Sequence, residues 1–350
     1  MRRIEYAKIR LVTRHAGTLP VLLTCPHDGD EVPPGVPKRT VSPAGCPPLE
    51  LDRDLRTRAV TTGIAERLLE LTGEAPSVVI AEYDREYIDA NRSKSCAFEP
   101  SEPPSKAPQF YDEYHDTIRR FIDDMRAENG GLGLLFDIHG TAGIEGTPAD
   151  LYLGTQKGST VTRLLEADPQ ALCRRRSLQG FLTAAGYVVV AEADQLAGGH
   201  TVRTYGSNNA DGLDAIQIEI NAPLRKLSWQ REGLIEHLAQ AIARLVVLWA
   251  DVHTRAVFRS LDLVAGEVVA GQLRPEAGDG LLRLGGAPRH RGRIEIRRDP
   301  GPPRRAGVLV LCGEDGNDHY LWVDEEGRLR IAPSDPGPLG HAGTVVGRQS

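Results

Sequence analysis

The sequence predicts an α/β protein: a mixed central sheet flanked by helices, followed by a small C-terminal all-β domain. Three observations predict it. Short apolar runs alternate with helix-period segments over the first two thirds of the chain, several of those runs are continuous, and the texture changes after about Arg255. Continuous apolar strands are expected where helices cover both faces of a sheet, whereas a one-sided sheet shows a two-residue alternation.

In chain order, Val21 to Thr24, Ser77 to Ala81, Leu132 to Ile138, Tyr187 to Ala191 and Ala215 to Ile220 read as strands. Between them, Leu55 to Leu71, Tyr111 to Ala127 and Arg174 to Ala185 place apolar residues at helical spacing. Ala97 to Pro108 holds four prolines and few large apolar residues, so it is expected to be a long loop of the kind that often covers a binding site. A last long helix starts after Ser228, with Leu234, Leu238, Ile242, Leu245 and Trp249 forming one core-facing stripe. Beyond it, Leu263 to Val269, Gly280 to Leu284, Arg293 to Ile296, Gly307 to Cys312 and Tyr320 to Val323 read as short β pieces between Gly/Pro turns. The expected division is therefore an α/β domain over 1–255 and a β-rich domain over 256–350.

Composition narrows the function. With 40% hydrophobic and 26% charged residues, the 350-residue chain is an ordinary globular one that can bury a large core. A formal net charge of −6 argues against nucleic acid or an anionic membrane as partner, because the average field would repel both. The N-terminal Met-Arg-Arg-Ile-Glu-Tyr-Ala-Lys has no apolar signal core, and no run approaches the roughly 20 apolar residues of a membrane span, so the expected location is cytoplasmic. Five scattered cysteines, none in a CxxC pair, suggest neither a disulfide framework nor a thiolate metal site.

In open α/β sheets, ligands bind outside the carboxyl ends of the strands, so the residues that leave each strand carry the functional signal. Here they are Pro26-His27-Asp28-Gly29-Asp30-Glu31, Tyr83 to Arg92, Asp137-Ile138-His139-Gly140, Gly198 to Arg203, and Gln217-Ile218-Glu219-Ile220-Asn221. Two histidines and a carboxylate at strand ends match what a catalytic zinc requires: three protein ligands and an open fourth position. Zinc lowers the pKa of a bound water toward about 7, and a nearby glutamate can take its proton. Glu219, the one acid in its apolar run, suits that role. Asp137 projects from the same strand face as His139 and can orient its ring. His115, inside a helix, reads as a packed or surface residue, and spacing alone does not choose between His27 and His200 as ligand. Arg85, Arg92 and Arg203 lie on segments leaving strands, and Arg is the side chain best shaped to grip a carboxylate. Together these features suggest a hydrolase for an acidic small molecule.

The ordered set of motifs resembles the N-formylglutamate amidohydrolases, relatives of the zinc carboxypeptidase fold. Pro26-His27-Asp28-Gly29-Asp30-Glu31-Val32-Pro33 is similar to that family's Pro-His-x-Gly-x-x-x-Pro turn, Ile88-Asp89-Ala90-Asn91-Arg92 to its Ile-Asp-x-Asn-Arg segment, and Asp137-Ile138-His139-Gly140 to its second ligand motif. Tyr114-His115, Gly198-Gly199 with Arg203, and Gln217-Ile218-Glu219-Ile220 complete the series over roughly residues 20 to 225. The resemblance implies Zn2+ held by His27, a nearby carboxylate and His139, with Glu31 the expected carboxylate and Asp30 its rival. It further implies Glu219 as general base and Asn91, Arg92 and Arg203 as the grip on a substrate carboxylate. Arg85 is the expected oxyanion donor. The chain departs from the family pattern in its C-terminal β region, in the Cys96-to-Pro108 loop, and at His200, where the family often has an aromatic residue.

The expected activity is thus amide hydrolysis of a small-molecule or peptide substrate that bears a carboxylate, by an amidohydrolase or carboxypeptidase-like enzyme. The competing expectation is a binding or scaffold protein that keeps the fold, with the C-terminal β domain docking a partner.

Overall fold

A computed structural model describes residues 3–167, 169–173 and 177–253, together with 308–312, 318–323, 328–332 and 344–348. The chain divides into two compact units, Met1–Gly266 and Glu267–Ser350. The domain boundary expected at 255, the three β pieces expected between 263 and 296, and residues 174–176 of an expected helix lie outside the described residues.

The first unit runs β1 (Ala7–Ile9), β2 (Val12–His15), β3 (Leu19–Cys25), α1 (Thr57–Thr72), β4 (Pro76–Ala81), α2 (Ala107–Glu128), β5 (Leu134–Thr141), β6 (Leu151–Gly154), α3 (Thr162–Ala167), α4 (Leu178–Ala184), β7 (Val189–Ala191), α5 (His200–Tyr205), β8 (Asp214–Asn221), α6 (Ala222–Lys226) and α7 (Ser228–His253). The eight strands form one mixed sheet in the order β1-β2-β4-β3-β5-β8-β6-β7. Its centre, β4-β3-β5-β8, is parallel, and β6 joins β8 antiparallel. The five expected strands are there, with ends shifted by up to three residues. The sequence reading missed β1, β2 and β6. β1 is fully exposed at the sheet edge and carries no apolar run, and β6 is only four residues long.

Side-chain alternation on the central strands explains both the core and the site. On one face, Leu19, Val21 and Leu23 of β3, Leu134, Phe136 and Ile138 of β5, and Ile216, Ile218 and Ile220 of β8 join one buried cluster with residues of α1, α4 and α7. On the other face, Leu22, Leu135 and Ala215 pack with Phe110, Tyr114, Ile118 and Phe121 of α2. Toward the carboxyl ends that second face turns polar, through Thr24, Asp137, His139, Gln217 and Glu219, all of them buried. A strand buried on both sides reads as a continuous apolar run, so an acid or imidazole within one marks where the core gives way to a site.

The second unit contains a four-stranded antiparallel sheet in the order β12-β11-β10-β9, built from β9 (Val308–Cys312), β10 (Asp318–Val323), β11 (Arg328–Ala332) and β12 (Thr344–Arg348). Pairings of β10 with β9 and with β11 are regular, and β11 and β12 shift register between Leu329 and Arg330.

The cysteine reading is corrected. Cys46 and Cys96 form a disulfide with their Cα atoms 5.6 Å apart. Fifty residues separate them in sequence, and neither sits in a short motif, so nothing local announces the pair. The bridge also stands against the cytoplasmic expectation, because cytosolic thiols are kept reduced. No helix among the described residues is long and apolar enough to cross a membrane.

Candidate metal centre

His27 leaves β3 two residues after Cys25, and its ring turns back over the polar end of the sheet. His139 projects from β5 on the same face as Asp137. The two rings meet edge to face with centroids 4.9 Å apart. Between them lies Asp54, on the segment that leads into α1: its Oδ2 is 3.3 Å from His27 Nδ1, 3.2 Å from His139 Nδ1, and accepts a hydrogen bond from Gly140 N at 3.0 Å. Its backbone N–H donates to His27 O, which fixes the segment against the β3 exit. Exposure of the three residues is 2%, 6% and 2%.

The opposite ring nitrogens are held by other carboxylates. His27 Nε2 lies 2.7 Å from Asp89 Oδ1, and His139 Nε2 lies 2.8 Å from Asp137 Oδ2, whose other oxygen accepts from the Thr24 hydroxyl at 2.6 Å. A histidine whose far nitrogen donates to a carboxylate presents its near nitrogen as a metal ligand, with ring orientation and tautomer fixed. One ligand atom from each of His27, Asp54 and His139 falls within 4.8 Å of the others, and both Nδ1 atoms lie against Asp54 Oδ2. The residues therefore fit zinc on donor chemistry: two imidazole nitrogens and one carboxylate, each aimed inward, with second partners already engaged.

Charge leads to the same place. Asp54, Asp89 and Asp137 are buried together. Asp89 is balanced by three guanidiniums, from Arg92 at 2.9 Å, Arg85 at 3.1 Å and Arg39 at 3.6 Å. Burial pushes its carboxyl up, but His27, Arg85 and Arg39 outweigh that and hold it well below the ordinary range. Asp54 is likewise held below it, since the histidine hydrogen bonds overcome a burial effect of opposite sign. Its nearest arginine contact is Arg85 Nη1 at 3.7 Å. Protonated imidazoles or a dication must supply the balance: burial works against a charged His139, but Asp137, Asp54 and Glu219 outweigh it and hold its pKa well above the ordinary value, and the same field favours a cation between the rings.

Glu219 lies directly across from His139 in the β5–β8 register and is 7% exposed. Gln217 Nε2 donates to its Oε1 at 2.8 Å, while Gln217 Oε1 accepts from Gly199 N. Burial pushes the Glu219 carboxyl above its ordinary value, against the pull of His139. A raised carboxyl beside a cation site is well placed to take and return a proton near neutral pH.

The other expected residues divide. Asn91 joins the cluster: its Nδ2 is 3.2 Å from His139 Nε2 and its Oδ1 accepts from Thr201 N. Gly199 lets it come so close, since a Cβ there would stand 2.2 Å from Asn91 Nδ2. Arg85 also reaches the cluster, half-buried, with Nη1 donating to Asp52 O. Glu31, expected as the carboxylate ligand, does not. It is half-exposed and pairs with Lys8, while its backbone bridges to Tyr83. Asp30 points to solvent near Arg53. Asp54 is the carboxylate that reaches both rings. Arg92, expected on substrate, is spent: Nε donates to Asp89, Nη1 to Pro47 O and Nη2 to Pro48 O. Arg203 is exposed on α5, and among the described residues its side chain is tied only through Nε to Gly199 O. His115 is packed inside, between Tyr205 OH and Ala90 O, and burial lowers its pKa to about 3. His200 contacts Tyr111 OH at 3.3 Å and stays outside the cluster. Sequence reasoning missed Asp54 because it follows no strand. The local signal was the Asp52-Arg53-Asp54 run just ahead of a helix.

Residues 99–224 match the family model of N-formylglutamate amidohydrolase. The matched stretch includes His139 and Glu219, while His27, Asp54 and Asp89 precede it. No curated protein matches the sequence. Similar solved structures include an N-formylglutamate amidohydrolase from Ralstonia eutropha JMP134, 18% identical with a TM-score of 0.49, covering 68% of this chain and 97% of that one. A gene product of Agrobacterium tumefaciens is also 18% identical, with a TM-score of 0.49 over 68% of this chain and 94% of that one. A bacteriophage poly-gamma-glutamate hydrolase is 12% identical, with a TM-score of 0.33 over 69% and 90%. The family match indicates an amidohydrolase, and the His27–Asp54–His139 cluster can hold a metal ion.

Proposed function

We propose that this chain, matched over residues 99–224 by the N-formylglutamate amidohydrolase model, is a zinc-dependent hydrolase for the amide bond of a small carboxylate-bearing substrate, either an N-acyl or N-formyl amino acid or a peptide terminus. The observation that carries the reading is the convergence of His27 Nδ1, His139 Nδ1 and Asp54 on one point, with Glu219 on the adjacent strand.

His27, Asp54 and His139 would hold the zinc. When bound there, zinc supplies Lewis acidity, making a water easier to deprotonate and an amide carbonyl easier to attack. Glu219 takes the proton from the attacking water as the new C–O bond forms. It returns that proton to the nitrogen as the C–N bond breaks, leaving a carboxylic acid and an amine. Asp89 and Asp137 keep the two rings oriented throughout. Arg85 is the cation best placed to stabilise negative charge developing on the carbonyl oxygen, since it stands beside both Asp54 and Asp89. Of the three substrate-binding residues expected, Arg203 has its guanidinium tip free for a substrate carboxylate, and Asn91 works through His139 and α5.

The experiment is hydrolysis by metal-stripped protein with and without one equivalent of zinc, using N-formylglutamate and the analogue whose carboxylates are carboxamides. Zinc-dependent turnover that favours the carboxylate substrate is expected. Zinc-independent turnover, or none with any N-acyl amino acid, contradicts the reading. For a cytoplasmic location the proposal carries one condition: the Cys46–Cys96 bridge must be reversible there.

A further inference from the structure

The Cys46–Cys96 bridge joins two segments that carry the metal centre, an irregular stretch at Cys46 and the end of a single 3-10 turn, Lys94–Cys96. Cys46 begins the stretch leading through Asp52 to Asp54, and Cys96 ends the turn that follows Asp89, Asn91 and Arg92. The noncovalent ties between these segments are few and share one anchor. Arg92 donates to Pro47 O and Pro48 O, Arg85 donates to Asp52 O, and both arginines rest on Asp89, which in turn holds His27. The bridge is thus the covalent member of a clamp that fixes the distance between Asp54 on one side and Asp89 with Asn91 on the other.

We propose that Cys46–Cys96 is a positioning disulfide for the metal centre, and that its reduction by a low-molecular-weight thiol lowers the affinity of the His27–Asp54–His139 cluster for metal. Both cysteines are half-buried on surface loops, which gives a small thiol access. A thiolate attacks one sulfur, forming a mixed disulfide and releasing the other as a thiolate that takes up a proton. A second thiol resolves the mixed disulfide and leaves as the oxidised dimer. Two electrons pass from the thiols to the protein, and two protein thiols result. Cys25 does not interfere: it is fully buried, and burial together with Asp28 pushes its thiol up to about 12. With the bridge open, the Asp54 segment is tied to the Asp89 turn by the arginines alone, while Gly140, His27 and Arg225 still hold its Asp54 end to the sheet and α6. The effect falls on metal affinity because a metal site loses binding when the spacing of its ligands is no longer imposed.

The inference rests on the cluster holding a metal, and the test separates the two. Zinc affinity is measured on the full chain by competition with a chromophoric chelator, for air-oxidised protein, for protein reduced and then freed of reductant under argon, and for Cys46→Ser and Cys96→Ser. Reduction must release two thiols. The expected result is zinc bound tightly by the oxidised form and about tenfold or more weakly by the reduced form and both variants, with recovery on reoxidation of the parent only. Circular dichroism well below the unfolding temperature shows each form still folded, and Cys46→Ala/Cys96→Ala, measured at the same temperature, guards against a single variant that misfolds. Equal zinc affinity in folded oxidised and reduced protein overturns the positioning role and leaves the metal reading intact. Absence of zinc binding in the oxidised form overturns both.

Discussion

Asp54 Oδ2 is approached by three nitrogens, His27 Nδ1, His139 Nδ1 and Gly140 N, which makes it the focus of the site. Replacing it with alanine removes the one carboxylate that reaches both rings, so zinc affinity should fall by at least an order of magnitude. Glu31→Ala should leave that affinity unchanged, because Glu31 pairs with Lys8 away from the rings. Chelator competition on both variants decides between the two acids. Glu219→Gln keeps the shape and the Gln217 contact but cannot accept a proton, so zinc should stay bound while kcat falls by about a hundredfold or more. The pH profile follows from the direction of its shift. A base must be deprotonated to act, and the Glu219 carboxyl is raised by burial. Activity should therefore rise with pH across a range above that of an ordinary carboxylate, and in Glu219→Gln this limb should vanish. A retained limb would assign it to another group.

At the scale of elements, β3, β5 and β8 each devote one face to the core and give the carboxyl end of the other to chemistry. This is why so much of the sheet was legible in the sequence. Continuous apolar runs fixed the buried strands, and His139 and Glu219 stood out because an imidazole or an acid inside such a run needs a partner. His27 was legible for the related reason that it interrupts the chain just after a run. The loops were less legible. Arg92 follows a strand and has the right chemistry to grip a carboxylate, but its three nitrogens are engaged by Asp89, Pro47 O and Pro48 O, contacts that depend on a segment more than forty residues away. The same distance hid Asp54 and the disulfide. Arg92→Lys tests the structural role, because an ammonium gathers its three donors on one nitrogen and lacks the planar fork that spans these separated acceptors. We expect a stability loss of about 1.5–3 kcal/mol, from charge-assisted bonds in a buried setting, seen as a lower urea midpoint. The loss in kcat/KM should be equal for the carboxylate substrate and its carboxamide analogue. A selective loss on the carboxylate would return Arg92 to the substrate.

For the whole molecule, the sheet sets β3, β5 and β8 side by side so that three distant stretches of chain place His27, His139 and Glu219 on one buried face, while the α1 approach delivers Asp54 and the β4 exit delivers Asp89. Buried acids crowded in this way are costly unless cations accompany them, and three arginines attend Asp89 alone. A cation between the two histidines and Asp54 is what balances these acids. Anomalous diffraction at the zinc edge from crystals grown with one equivalent of zinc measures this most directly. The predicted result is a single strong peak in the α/β unit, about 2.0–2.2 Å from Nδ1 of His27, Nδ1 of His139 and a carboxylate oxygen of Asp54. A peak bonded to Glu31 or to the Nε2 atoms, or no peak between the two rings, would contradict it.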